Sequence, residues 1–392
     1  MKFKITLFLL AVLYNFSFAQ KTNEFLSVDN TTIQIPDSST KSAQSLARYF
    51  MLKFSIPNDK VRAAFYWVAK NIKYDVRNMY TVNFYESETE IIDKVLLTRK
   101  GVCMGYATLF IDIVKKMGFT VYRVEGYTKQ NGIADNLPHA WTAVLIDSNW
   151  FLFDPTWAAG YVTNSKFVSQ YNNAYWKTKP EEIIKSHMPF DPMWQLLTNP
   201  LTNAEFNQSK TVGTAKKPAF NFNDSIAVYN KQNELERLRS FTSRLEKNGV
   251  SNSLIFDRYQ YNKREIDYIK KKQFTDLYNK AVGDMNDGVR LLNEFINYRN
   301  KQFTPSKPDP ELKLMLENID KLFADSESSL DKIKNPEANE KMSINQLNHL
   351  LEEATTNLNE QKTFLTKYLS TSKLFRKAMF YKYSWLGIPL NK

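Results

Sequence analysis

Apolar residues recur at spacings of three and four through most of this chain, and alternate with polar ones only in short stretches. Leu46, Ala47, Phe50 and Met51 follow Ser38, Ser39 and Thr40, any of which can cap a helix. Val61, Ala64, Phe65, Val68 and Ile72 follow Asn58 and Asp59 in the same way. Residues 76–95 are mixed and read as a surface excursion with a short helix near 88–96. From Cys103 the positions Met104, Ala107, Phe110, Ile111, Val114 and Met117 make a wide apolar stripe ended by Gly118. That stripe predicts a buried helix with Cys103 in its first turn. The period-two stretches predict a short strand at 31–35, closed by Pro36, and another at 120–126. A polar loop is expected at 127–137. Residues 139–146 and 150–153 read as a hairpin around Asp147, Ser148 and Asn149.

Beyond Asp154 an aromatic region runs to about residue 205, with Tyr171, Tyr175, Trp176, His187 and Trp194 packing over the sheet. Residues 207–221, with Gly213, Pro218 and several lysines, read as a linker. From 222 onward long periodic runs predict four helices, near 222–247, 253–302, 309–334 and 342–383. Leu312, Leu316, Ile319, Phe323, Leu330 and Ile333 keep a heptad-like seam. Ile344, Leu347, Leu351, Ala354, Leu358, Leu365 and Tyr368 keep another, with Gln361 as a polar interruption. The expected organisation is therefore an α+β domain over 20–206, a linker at 207–221, and an all-α long-helix bundle or coiled coil over 222–392.

Composition changes this picture in three ways. At 392 residues, two domains are the prior, and 43% hydrophobic with 24% charged residues suits folded, soluble cores. Lys2 and Lys4, an apolar stretch over 5–13, and Ser17-Phe18-Ala19 predict an export signal over 1–19 cleaved near Ala19. A membrane anchor fits less well, because Asn15 and Ser17 break a run already shorter than a span of about 20 residues. No later segment is long and apolar enough to cross a membrane, so a periplasmic or secreted protein is expected. Net charge of +12 and a pI near 9.3 raise the question of nucleic acid. Export and the lack of a compact basic block interleaved with aromatics argue against it. Lys270, Lys271 and Lys272 read as a solvated helix face, and attraction to anionic envelope surfaces is an unspecific alternative.

Cys103 is the chain's single cysteine, so no internal disulfide can form. In an exported protein an odd cysteine means intermolecular pairing, a reactive thiol, or an inert buried hydrophobe. A thiol at a helix start feels the positive end of the helix dipole, which favours thiolate, whereas deep burial does the opposite. Nucleophilic use also needs a base and a group that orients it. His139 at a strand start and Asp154 at a strand end are the candidates. If Asp147 and Ser148 are the two turn residues, Ile146 pairs with Asn149. Asp154 then falls opposite Trp141, on His139's side of the sheet, within reach of an imidazole–carboxylate bond. A turn moved by one residue puts the two on opposite faces. Each residue also has an ordinary reading: buried cysteine, core histidine, and an aspartate that forms a turn before proline. Three histidines far apart in sequence with one cysteine make no ligand cluster, so no metal is expected. His349, on a helix face, reads as solvated.

Three segments resemble the transglutaminase-like superfamily: residues 66–75 (YWVAKNIKYD), Gly101-Val102-Cys103-Met104-Gly105-Tyr106-Ala107, and His139-Ala140-Trp141 with Asp154-Pro155-Thr156-Trp157. Residues 180–197, with His187-Met188-Pro189 and Trp194-Gln195-Leu196-Leu197, are similar to its kyphoscoliosis peptidase branch. The resemblance covers about residues 40–205. It implies a papain-like α+β core in which a helix carrying Cys103 packs on an antiparallel sheet carrying His139 and Asp154. It implies that Cys103 attacks an amide carbonyl, that His139 activates the thiol and protonates the leaving amine, and that Asp154 orients His139. The thioester then passes to water or to an amine, and the Cys103 N–H stabilises the oxyanion. Thr142 stands where the family often has asparagine, which touches no catalytic role. No calcium-ligand cluster is visible, so no cofactor is expected. The expected partner is a peptide or protein substrate, with the cell envelope as a source and the helical half as a site of self-association. The rival expectation is a catalytically silent scaffold or binding protein whose helical half is the working part.

Overall fold

The computed structural model describes residues 24–81, 86–210, 213, 219–383 and 389–390; the expected export signal at 1–19 lies outside them. Three helices open the described chain: α1 (Leu26–Ile33), α2 (Ala43–Lys53) and α3 (Pro57–Asn71). The strand expected at 31–35 is thus the end of a helix. Thr31 and Thr32 turn their hydroxyls back onto the carbonyls of Ser27 and Val28, four residues earlier. Buried Phe25 and Val28 anchor that helix to the core. Ser42, in a capping box with Ser45, starts α2, and Pro57 at the first position starts α3.

Strand β1 (Lys73–Tyr74) pairs in parallel with β2 (Lys100–Gly101), which follows α4 (Glu88–Thr98). The predicted helix then appears as α5 (Cys103–Lys116). Strands β3 (Val121–Gln130), β4 (Ile133–Ile146) and β5 (Asn149–Phe153) follow as an antiparallel meander. The polar loop expected at 127–137 is replaced by the far ends of β3 and β4. They are joined by Asn131 and Gly132, both at positive φ, in the manner of a two-residue hairpin turn. After β5 come α6 (Pro155–Ala159), the hairpin β6 (Gly160–Thr163) and β7 (Lys166–Ser169), α7 (Pro180–Ile183) and β8 (His187–Pro189). Strand β8 adds to β3, so the sheet order is β5-β4-β3-β8. Gly126 makes this approach feasible: a Cβ there would lie 2.1 Å from the Met188 carbonyl oxygen.

Alternation along the strands builds two cores. Val121, Val144, Ile146 and Phe153 join a cluster with Phe65, Phe110 and Trp176 from the helical side. Val124, Trp141, Ala143 and Leu152 join a second cluster with Met193, Trp194 and Ile226. Ile226 belongs to α9 (Phe222–Lys231), which follows the short α8 (Asn203–Asn207). Leu245 of α10 (Glu234–Asn248) and Ile255, at the start of α11 (Ser253–Asn300), pack with Tyr127, Met188 and Phe206. The first compact unit therefore runs to Asn262, and the break expected at 207–221 falls inside it. The physical reason is that the second apolar face of the sheet needs a cover, and the helices from residue 222 supply it.

The second unit spans Lys263–Lys392. Here the rest of α11, α12 (Asp309–Asp331) and α13 (Ala338–Ser370) share one apolar core. Both predicted seams lie in it, and Gln361 is buried with its carbonyl accepting from Arg299. His349 is solvent-exposed, as expected. No described helix is long and apolar enough to cross a membrane.

Candidate active site

The β1–β2 pairing and the start of α5 fix Cys103. Tyr74 lies opposite Gly101, and a Cβ on Gly101 or Gly105 would crowd Val95 of α4, at 3.1 and 2.8 Å. The extended backbone of Val102 then turns into α5 with Cys103 as the first helical residue. No side chain caps this helix, so its first-turn N–H groups have no side-chain acceptor. The thiol is half-buried and free, with Sγ 4.0 Å from the Pro138 carbonyl oxygen.

His139 and Asp154 arrive as the expected register requires. Ile146 pairs with Asn149, around Asp147 and Ser148 at positive φ, and pairing continues to Thr142 and Phe153. One step further Asp154 leaves the sheet, and its Oδ2 lies 2.8 Å from His139 Nε2. Asp154 Oδ1 accepts from the backbone N–H of Thr156 at 2.8 Å and of Trp157 at 3.1 Å, so the carboxylate also caps α6. With Nε2 committed to Asp154, Nδ1 is the nitrogen left for the Cys103 thiol, which lines the same cleft. All three sequence-predicted residues meet in one place.

A fourth residue joins them. His187, read from sequence as packing, puts Nε2 3.0 Å from the same Asp154 Oδ2 and Nδ1 2.8 Å from Ser186 Oγ. Gly126 pairs with His139 on one side and Pro189 on the other, while Thr128, two residues on, pairs with His187. That register brings the two imidazoles together on one side of β3. The expectation that the histidines lie too far apart to cluster is overturned for these two. Ligand-capable atoms of His139, Asp154 and His187 all lie within 4.8 Å of one another. They are turned onto each other along hydrogen bonds, with one carboxylate oxygen serving both rings.

Electrostatics separate the two histidines. Burial disfavours the charged ring in both. For His139 the charge and hydrogen bond of Asp154, with those of Cys103, outweigh burial and raise its pKa. For His187 burial prevails over Asp154, and the nearby His139 adds to the depression. Asp154 is fully buried, which by itself would raise its pKa; the charge and hydrogen bonds of His139, with those of His187, hold it well below the usual carboxylate range. These directions favour an imidazolium–carboxylate pair at His139 and Asp154 and disfavour a second cation at His187.

A cleft of about 1300 Å³ opens over the thiol, lined among others by Tyr74, Asp135, Trp157, Tyr161, Tyr175 and Arg258. Tyr74, on β1, lies in the segment that carries the family resemblance and lines this cleft. Its hydroxyl is held protonated by burial and then by the nearby Cys103 and Asp154 charges, so it remains a donor at the cleft wall.

Comparison with known proteins agrees with this geometry. Residues 44–155 match the family described as the Transglutaminase-like superfamily. Kyphoscoliosis peptidase from Mus musculus is 34% identical over 159 residues, covering 38% of this chain and 24% of that protein. Its Homo sapiens counterpart is 32% identical over the same shares. Hillarin from Drosophila melanogaster is 24% identical over 205 residues, covering 47% of this chain and 24% of that protein. The chain thus spans about a quarter of the length of these relatives. Residues 44–155 form a transglutaminase-like superfamily domain of the branch that holds the kyphoscoliosis peptidase.

Proposed function

We propose that this protein is an exported thiol enzyme that acts on peptide or protein amide bonds through a Cys103 thioester. The observation that carries this reading is Cys103 and His139 lining one open cleft, with Asp154 buried behind His139 at 2.8 Å. Cys103 Sγ, as thiolate, attacks the amide carbonyl, and His139 Nδ1 gives its proton to the departing amine. The resulting thioester is then attacked by water or by a second amine, with His139 taking the proton of the attacker. Negative charge on the carbonyl oxygen is met by the uncapped N–H of Cys103, and the Tyr74 hydroxyl is the side-chain donor placed to assist. Asp154 stays ionised throughout, keeps His139 oriented and favours its charged form each time the ring holds the second proton.

The test is alkylation of the folded protein with iodoacetamide. Rapid, pH-dependent modification of Cys103 that collapses in His139→Ala supports the reading. Modification only after unfolding would mean an inert thiol and the scaffold alternative. Labelling in producing cells, followed by mass analysis, extends the same experiment: the reading requires a labelled protein that begins after Ala19.

A further inference from the structure

We propose that His187 is a positioning residue of this site: a neutral imidazole that receives a hydrogen bond from Ser186 and donates Nε2–H to Asp154. This rests on the thiol-enzyme reading for its kinetic consequence, though not for its structural one. The argument begins with Asp154, which is fully buried and out of reach of bulk solvent, so its lone pairs need partners. An ionised carboxylate offers about four acceptor positions. Two are filled from the backbone, by Thr156 and Trp157 on Oδ1, and two by rings, His139 and His187 on Oδ2. Without His187 one position is empty, in a place where an unmet acceptor is costly.

The hydrogen pattern follows from the partners. Asp154 can only accept, so His187 Nε2 must carry hydrogen. Nδ1, 2.8 Å from Ser186 Oγ, then accepts from that hydroxyl if the ring is neutral. Two observations favour neutrality. The ring is closed off from solvent, with Trp157 and Trp141 at centroid distances of 4.5 and 5.2 Å, and it shares one carboxylate oxygen with the His139 ring, so burial and a neighbouring cation both lower its pKa. The other titratable groups facing this pair are Asp135 toward His187, and Tyr74, Tyr106 and Tyr175 toward Asp154; the tyrosines are held protonated chiefly by burial. The chain of donors thus runs Ser186 to His187 to Asp154, with His139 meeting the same oxygen. His187 thereby fixes the oxygen that orients His139, without touching the substrate.

The chain holds only three histidines, and His349 is exposed, so long-range proton–nitrogen spectra of the full-length protein can be assigned by single substitutions. The expected spectrum gives His187 as the neutral Nε2–H form from pH 5.5 to 8. A charged ring, or the Nδ1–H form, would overturn the proposal. The kinetic arm uses the iodoacetamide rate of Cys103. His187→Leu is expected to lower it by about tenfold or more, in keeping with the cost of small misplacements, and to move the acidic limb to higher pH. His187→Gln, which returns an N–H near Nε2, is expected to restore most of the rate. A leucine variant with wild-type rate and profile would refute the positioning role. An unreactive Cys103 in the folded wild type would instead refute the thiol-enzyme reading, and the histidine spectrum would still decide the hydrogen pattern.

Discussion

At the scale of single residues, one buried carboxylate sets the charge states of its neighbours, and that has a measurable pH signature. Asp154 has a depressed pKa in the fold, so its contribution is present above the unfolded value of about 3.9 and is lost as pH falls through the folded one. His139 has a raised pKa, so its contribution is full below about 6.5 and is lost as pH rises toward the folded value. The pair is therefore worth most between about pH 4 and 6.5, and above that window it weakens by about 1.4 kcal/mol per pH unit. Asp154→Asn should lower Tm far more at pH 5 than at pH 9. Equal losses at both would mean that the two groups are not charged partners. The three site residues were legible because each stands at a local mark visible in sequence: a helix start for Cys103, the opening of an apolar stretch for His139 (inside β4, which begins earlier, at Ile133), and a strand end before proline for Asp154. His187 carried no such mark. It sits on a three-residue strand, and its partner is 33 residues away, so only the folded register of β3 reveals the contact.

Among the elements, α1 shows how tertiary charge pairing overrides local propensity. Its β-branched, alternating end reads as a strand, yet Asp29 on the helix holds Arg62 of α3 through two bonds of 2.7 Å. Arg62 is fully buried, and its guanidinium also lies within 5.5 Å of the ring centroids of Phe25, Tyr66, Tyr171 and Trp176. Nothing in residues 24–36 alone announces a partner 33 positions downstream. Asp29→Ala should cost about 3–5 kcal/mol in a denaturant titration, because it leaves a buried cation uncompensated. The double variant with Arg62→Leu as well should recover much of that loss. A single variant as stable as wild type would show that the pair does not hold α1 to α3. The hairpin at Asn131 and Gly132 is the reverse case. Its turn dipeptide was in plain view, but polar residues such as Gln130 and Asp135 hid the strands around it.

For the whole molecule, the division of cores decides what a distant substitution can do to the site. Among the described residues, the clusters around the sheet draw on members up to Tyr259, and the helical cluster begins at Tyr278. The long-helix half was legible because its seams repeat over many turns. Its boundary was not, since α9 and α10 have helical periodicity but spend their apolar faces on the sheet. Two cores in one chain are expected to depart from a single two-state transition. Phe323 tests this. It is buried in the helical unit, and its ring would lie 2.5 Å from a Cβ placed on Gly288, which marks a close approach of α11 and α12. Phe323→Ala should destabilise that unit by about 3–5 kcal/mol through lost burial and the cavity left behind. Calorimetry is expected to show the helical transition moving to lower temperature, while the iodoacetamide rate of Cys103 stays at its wild-type value below that transition. If the whole protein instead melted in one shifted transition, with the thiol rate falling in step, the two cores would have to be treated as a single cooperative unit.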